Sequence, residues 1–368
     1  MPNQELISDN LKLIESFGAK PISSLNEVPD FYTFKNGLMY SHRDFELFYK
    51  KAKNGTKSAV VSGFNASATM HIGHAAVFDT NLFFQKEFGA NVFIPISDDE
   101  SYVSLKIKTQ EDGLRNSFVL ARMMAAYGFN PSHTKIIIDQ IYTNIYNIAI
   151  KLSRGVTLSE IRSVYGYTPD QNIGLHFYPS IQAAHVVLPQ TFGFPNVLVP
   201  IGPDEDAHLR VCRDVAEKFG YVKPSVLHSV FLPGLDGNKM SKSKNNAIFF
   251  LDEQKEIKRK VMTAFSGGRT TVEEHRRLGG NPDVDVAYMY LKSYFLADKE
   301  SIHIYDEYKR GKLLSGDLKK MLLEHIEARI DKFIAKYNKV TLEDLEKIIL
   351  RDENIDLKAL IEKAGTFH

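Results

Sequence analysis

The chain has 368 residues, enough for one large domain with an appendage or for two domains. At 43% hydrophobic and 25% charged it has the composition of an ordinary globular protein, and no uncharged apolar run approaches the length of a membrane-spanning helix. The net charge of +1 excludes a global basic field, so a nucleic-acid partner must be held by local patches; the single cysteine, Cys212, excludes an internal disulfide and a cysteine-based zinc site. The N-terminal MPNQELISDNLKLIESFG carries acids and does not read as a signal peptide, so a reducing cytoplasm is the expected setting.

In chain order, SAVVSGF (58–64) is a short β-branched run ending at Gly63 and predicts a buried strand. MHIGHAAVFDTNLFFQKEFG then shows helical spacing and stops at Gly89. ANVFIPIS (90–97) predicts a second buried strand, RNSFVLARMMAAYGF a helix, and TKIIIDQ a third strand. NVLVPIG (196–202) predicts a further strand, followed by the helical AHLRVCRDVAEKFG. Alternation of strand and helix predicts an α/β fold with a doubly wound parallel sheet, whose ligands sit beyond the carboxyl ends of the strands. Gly63, Ser97 and Gly202 stand at such ends.

After about residue 255 the strand signals thin out. KEIKRKVMTAFSGG, VAYMYLKSYFL, ESIHIYDEYKRG and GDLKKMLLEHIEARIDKFIAKYNK are helical patterns, which predicts an α/β region over 1–255 and a C-terminal all-helical domain over 256–368. The basic runs KEIKRKV (255–261) and YKRGKLLSGDLKK (308–320) read either as solvated helix faces or as patches for phosphate.

Two motifs carry chemistry. His71-Ile72-Gly73-His74 follows a strand and opens a helix. As a zinc site the two histidines would need further ligands, and no H-E-x-x-H is present. A helix start offers unsatisfied N–H groups to an anion, and Gly73, without a Cβ, lets a flat ring such as a nucleobase approach. The alternative is a pair of surface histidines. The second motif, Lys239-Met240-Ser241-Lys242-Ser243, lies in a glycine- and asparagine-rich loop after Gly234 and Gly237, where ammonium and hydroxyl groups suit a polyphosphate. The alternative is an exposed basic loop.

Together and in this order, the two motifs resemble both signatures of the class I aminoacyl-tRNA synthetases. YPSIQAAH (178–185), SDDESY (97–102), FKNGLMYSHRDF (34–45), RDVAEKFGYVKPSVLHS (213–229) and AFSGGRTTVEEHRRLGGNPDVDVAYMYL (264–291) narrow the resemblance to the tyrosyl/tryptophanyl branch, and within it to archaeal and eukaryotic tryptophanyl enzymes, over about residues 30–330. The resemblance implies a Rossmann-like catalytic domain, with an insertion at about 95–190 at a homodimer interface, and an anticodon-binding helical domain. It implies ATP with Mg²⁺, tryptophan and tRNA(Trp) as partners. His71, His74, Lys239 and Lys242 would serve catalysis. ATP would be held by His71, Gly73, His74, Gly202, Asp204 and the loop Lys239, Met240, Ser241, Lys242 and Ser243. The amino acid would meet Val61, Gly63, Pro95, Glu100, Gln182, His185 and Glu205. No resident metal is expected.

The amino-acid pocket departs from that pattern. Tryptophanyl relatives read the indole N–H with a tyrosine and a glutamine where this chain has Val61 and Pro95, and carry glutamine at the position of Glu205. Tyrosyl relatives would have tyrosine at Val61 and aspartate at His185. His185 is the candidate acceptor for the ring N–H; its alternative is a structural histidine. A tyrosine–tRNA ligase, a non-catalytic synthetase paralogue that binds RNA or protein, and a nucleotidylyltransferase remain as other readings.

Overall fold

The computed structural model describes residues 13–67, 69–240 and 244–366. The chain packs as two compact units. One is built from the described parts of Met1–Ser41, Met70–Ala76 and Ser229–Ala335, the other from His42–Thr69, Val77–His228 and Lys336–His368.

The second unit is the α/β part. Its main strands are β1 (Ser58–Val61), β2 (Asn91–Ser97), β3 (Thr134–Ile138), β4 (Asn196–Ile201), β5 (Ser225–Ser229) and β6 (Ile349–Leu350), with the two-residue strand Phe64–Asn65 paired beside the end of β2. They lie in the order β5-β4-β1-β2-β3-β6, and every pairing along this path is parallel. A parallel sheet needs cover on both faces, which is why its strands read as continuous β-branched and apolar runs. On one face Ala59, Val61, Phe93, Ile137, Val197 and Val199 pack beneath the helices α1 (Asn144–Ser153), α2 (Ile173–Thr191) and α3 (Asp206–Lys218). On the other, an aromatic cluster forms where Phe84 meets Phe45 and Phe48 edge-on at 5.9 and 5.4 Å between ring centroids. Each such fully buried side chain contributes about 1.5–3 kcal/mol.

The order makes β1 the point where the chain winds outward in two directions, with β2 on one side and β4 on the other. Gly63, just past β1, is there for space: a Cβ on it would lie 2.9 Å from the Pro95 carbonyl oxygen. The strand ends can therefore approach closely at the crevice where open α/β sheets bind ligands.

The first unit is mainly helical, with helices at Gln254–Met262, Val272–Leu278, Asp298–Lys309 and Ser315–Tyr337, and a five-residue π turn at Leu291–Phe295 following the α-helical Val286–Tyr290. The packing does not divide the chain at residue 255. Residues 336–368 return to the α/β unit, where Ile349–Leu350 pairs with Ile136 and Ile137 and the helices Leu342–Ile348 and Leu357–Ala364 pack against Gln110–Tyr127. Two apolar residues at the end of a helical pattern are too short a run to show periodicity, so β6 has no signal in the sequence.

Candidate active site

In the first unit the two signature motifs are fastened by backbone. Ile72 N–H donates to Ile248 O at 2.9 Å and Phe250 N–H to Met70 O at 3.1 Å, with an antiparallel bridge between His71 and Phe249. The chain leaving the lysine loop is thereby held beside the histidine turn. That turn is a 3₁₀ turn, Ile72–His74, ahead of the helix Ala75–Phe88. His71 Nδ1 accepts Gly73 N–H at 3.2 Å, and His74 Nδ1 accepts His71 N–H at 3.1 Å, a reciprocal capping box. A ring that accepts at Nδ1 carries its proton at Nε2 when neutral, so both imidazoles become donors there. Both are neutral: burial, and then the neighbouring His74, push His71 down to about 2, and burial pushes His74 down to about 4 against the hydrogen bond from His71. The rings lie 3.9 Å apart between centroids.

Met240 covers Gly73: a Cβ at Gly73 would meet the Met240 sulfur at 2.9 Å and the His71 ring at 3.0 Å. Lys239 Nζ lies 4.4 Å from the Phe231 ring centroid, and Lys239 bridges Pro233 in antiparallel fashion. Asn246 Nδ2 binds Asp236 at 2.8 Å and the Lys239 carbonyl at 3.0 Å. Gly234 is explained by this brace, since a Cβ there would lie 2.5 Å from Asn246 Nδ2. Ser241, Lys242 and Ser243 lie outside the described residues.

In the second unit, strand ends and α2 carry the other named residues. Val61 ends β1 and Pro95 sits near the end of β2; both are buried. Glu100 follows β2, with Oε1 bound by Lys106 Nζ at 2.9 Å and Oε2 buried without a hydrogen-bond partner. Tyr178, Gln182 and His185 form one stripe of α2, at helical spacing. Tyr178 donates to Ser97 Oγ at 3.2 Å. Gln182 takes Tyr165 OH on its carbonyl at 3.0 Å and donates to Glu205 Oε2 at 3.2 Å, which His208 Nδ1 also approaches at 3.0 Å. Burial pushes the Glu205 carboxyl up, but its bonds from His208 and Gln182 outweigh that and hold it below its ordinary range, so it is anionic. His185 is buried, with Nε2 2.8 Å from Asp139 Oδ1.

Gly202 and Asp204 belong to the turn after β4, and Asp204 is exposed. Asp206 anchors that turn: Arg43 grips it in bidentate fashion at 2.6 and 2.8 Å, and His228 Nε2 lies 3.0 Å away. Burial raises the Asp206 carboxyl, but the bonds from His228 and Arg43 hold it well below its ordinary range. Arg43, Asp206, His228, Lys106, Tyr165, His208 and Asp139 are site-supporting residues that no spacing in the sequence announces.

The fold, with its switch point at β1, and the two joined motifs define a class I nucleotide-activating enzyme. The family model described as "tRNA synthetases class I (W and Y)" matches residues 53–331, and the chain belongs to that family. It is 36% identical to the tryptophan–tRNA ligase of Sulfolobus acidocaldarius, covering 89% of each chain, and 35% identical to the cytoplasmic tryptophan–tRNA ligase of Saccharomyces cerevisiae, covering 92% of this chain and 83% of that one. It superimposes on the tryptophanyl-tRNA synthetase of Aeropyrum pernix with a TM-score of 0.85 at 28% identity, over 96% of this chain and 99% of that one.

Gly73→Ala tests the histidine turn. The methyl group displaces Met240 and the His71 ring, so adenylate formation should slow ~10- to 100-fold while thermal stability changes little. An unchanged rate in ATP–pyrophosphate exchange would mean the turn does not position ATP.

Proposed function

We propose that the chain is a tryptophan–tRNA ligase, which activates tryptophan with ATP to tryptophanyl-adenylate and transfers the acyl group to tRNA(Trp). The observation that carries the reading is the backbone pairing of Met70–Ile72 with Ile248–Phe250, which holds the histidine turn beside the chain leaving the lysine loop. The relatives favour tryptophan over tyrosine.

A carboxylate oxygen of tryptophan attacks the α-phosphorus of ATP, the bond to the bridging oxygen breaks, and pyrophosphate leaves. No covalent enzyme intermediate forms, so the protein acts by positioning and by meeting phosphate charge. His71 and His74 donate from Nε2 to phosphate oxygens, while Lys239 and Lys242 neutralise the β- and γ-phosphates. The histidine nitrogens and the lysines offer a metal no ligand oxygen, so Mg²⁺ arrives with ATP on its phosphates. Gly202 and Asp204 serve the ribose. Glu100, through the partnerless Oε2, and the Gln182–Glu205 pair receive the substrate ammonium. Val61 and Pro95 line the ring's side, and His185 accepts the indole N–H.

The helices after residue 256 bind the anticodon stem. Among the cations of the two basic runs, Lys260 is buried against Asp252 at 2.7 Å; Arg259, Lys312 and Arg310 are paired at the surface with Glu256, Glu307 and Asp306 at 2.7, 3.2 and 3.8 Å, and Lys255, Lys258, Lys309 and Lys320 are exposed to a phosphate backbone. The segment 95–190 forms a two-fold dimer interface. Leu105 and Ile173 are each 84% exposed, and Asn172 Nδ2 binds the Val103 carbonyl at 2.7 Å, so the two apolar side chains stand on neighbouring pieces of chain. No helix among the described residues is long and apolar enough to cross a membrane, and the enzyme works in the cytoplasm with the rest of translation.

ATP–pyrophosphate exchange measured with each of the twenty amino acids should be fastest with tryptophan; preference for tyrosine would reject the branch. In sedimentation at micromolar concentration the protein should run as a dimer, and Leu105→Glu with Ile173→Glu should convert it to a monomer. A parent protein that is already monomeric would remove 95–190 from the interface.

A further inference from the structure

His185 lies against a cluster of three carboxylates that the reaction above does not use. Asp98, Asp99 and Asp139 each direct a carboxylate oxygen to within 4.8 Å of the others. Asp98 accepts Asp139 N–H on Oδ1 at 3.0 Å and Gln140 Nε2 on Oδ2 at 2.5 Å. Asp99 accepts Glu100 N–H on Oδ1 at 2.6 Å and Tyr146 OH on Oδ2 at 3.3 Å. Asp139 has His185 Nε2 on Oδ1 at 2.8 Å, and its Oδ2 is buried with no donor.

Two facing carboxylates away from water do not both stay ionised. One proton between Asp99 and Asp139 removes the conflict and supplies the donor that Asp139 Oδ2 lacks. Burial first, and then the charge of Asp139, push Asp99 well above its ordinary range; burial, and then the charge of Asp98, do the same to Asp139. Asp139 Oδ2 is the oxygen that lacks a donor, so the shared proton sits on Asp99 and points at it. Asp139 then accepts on both oxygens. An acceptor facing His185 Nε2 requires the proton to be on that nitrogen. Burial pushes His185 down to about 4 despite the acidic groups Asp99 and Asp98 beside it, so the ring is neutral and Nδ1 is bare.

We infer that Asp139 is a positioning residue for substrate choice: accepting from Asp99 on one oxygen and from His185 on the other, it fixes the tautomer in which His185 presents Nδ1 as an acceptor. A ring substituent that donates, such as the indole N–H, is welcomed, and one that only accepts is refused. This rests on the proposal that His185 faces the amino acid. The titratable groups around the ring are Asp98 and Asp99 from the helix Asp98–Val103, Asp139 after β3, Tyr146 from α1 and Tyr178 from α2 itself.

The test is ¹⁵N NMR of the histidine ring in full-length, histidine-labelled protein, with His185→Gln to assign the signals. Without substrate, Nε2 should appear protonated and Nδ1 bare; adding tryptophan should move the Nδ1 signal upfield. A protonated Nδ1 overturns the inference. A bare Nδ1 that ignores tryptophan removes His185 from the substrate contacts and overturns the role in substrate choice, with the tautomer assignment alone surviving. Asp99→Asn supplies a fixed N–H to Asp139, so it should leave the tautomer unchanged and the KM for tryptophan within ~2-fold. In infrared difference spectra this variant should lose one protonated-carboxyl band. No such band, or a His185 signal that shifts when divalent cations are chelated, would put a bare carboxylate or a cation where the proton is placed and would overturn the account.

Discussion

Parallel pairing of β1 with a neighbour on each side is the constraint on which the α/β unit depends. A strand that must be buried on both faces cannot expose side chains along its length, so functional groups collect where it ends. Val61 and Gly63 around the end of β1, Pro95 and Glu100 around the end of β2, Asp139 after β3 and Gly202 to Glu205 after β4 all stand there. The close approach at Gly63 follows from the same geometry, because a side chain there would collide with the backbone of β2. Asp206, locked by Arg43 and His228, then fixes the last of these turns.

In the helical unit the constraint is different. Two segments far apart in the sequence become one local structure through three residues of antiparallel contact. The capping box uses Nδ1 of both histidines on their own backbone, which spends their acceptors and leaves them as neutral donors. Positive charge for a polyphosphate must then come from the lysines. On the proposed reading this division of labour is why the chemistry needs both motifs; a ring whose Nδ1 is engaged and whose Nε2 is protonated is no metal ligand.

Much of this was legible in the sequence because the signals were local. Strands 58–61, 91–97, 134–138 and 196–201 are dense β-branched runs, and Gly89 ends its helix at a positive φ of 61°. The helix Ile173–Thr191 has no clear period, since it is apolar nearly all round and carries Pro179 and Pro189 within it. β6 is two residues long and gains its identity only from its partner. Lys260 sits in a basic run yet is buried, because the run is a helix with one face on the core. The candidate site was legible as residues and not as bonds. His185 was readable as a possible acceptor, but nothing near it in the sequence points to Asp139 or Asp99, and tautomers are set by such partners.

The pocket leaves one physical question at the centre. In the proposed pocket Val61 and Pro95 offer no polar side chain, so another protein group must meet the indole N–H, since a buried donor left unpaired costs ~1–3 kcal/mol. The 368 residues contain no tryptophan, so their synthesis draws on none of the charged tRNA the enzyme makes, and the substrate is the only indole in a binding experiment. The most direct measurement is the ratio of dissociation constants for tryptophan and its benzothienyl analogue, in which sulfur replaces the ring N–H, the first followed by its own fluorescence and the second by competition. The account predicts that tryptophan binds ~2- to 10-fold more tightly and that His185→Phe erases the difference. Equal affinities in the parent protein would contradict it.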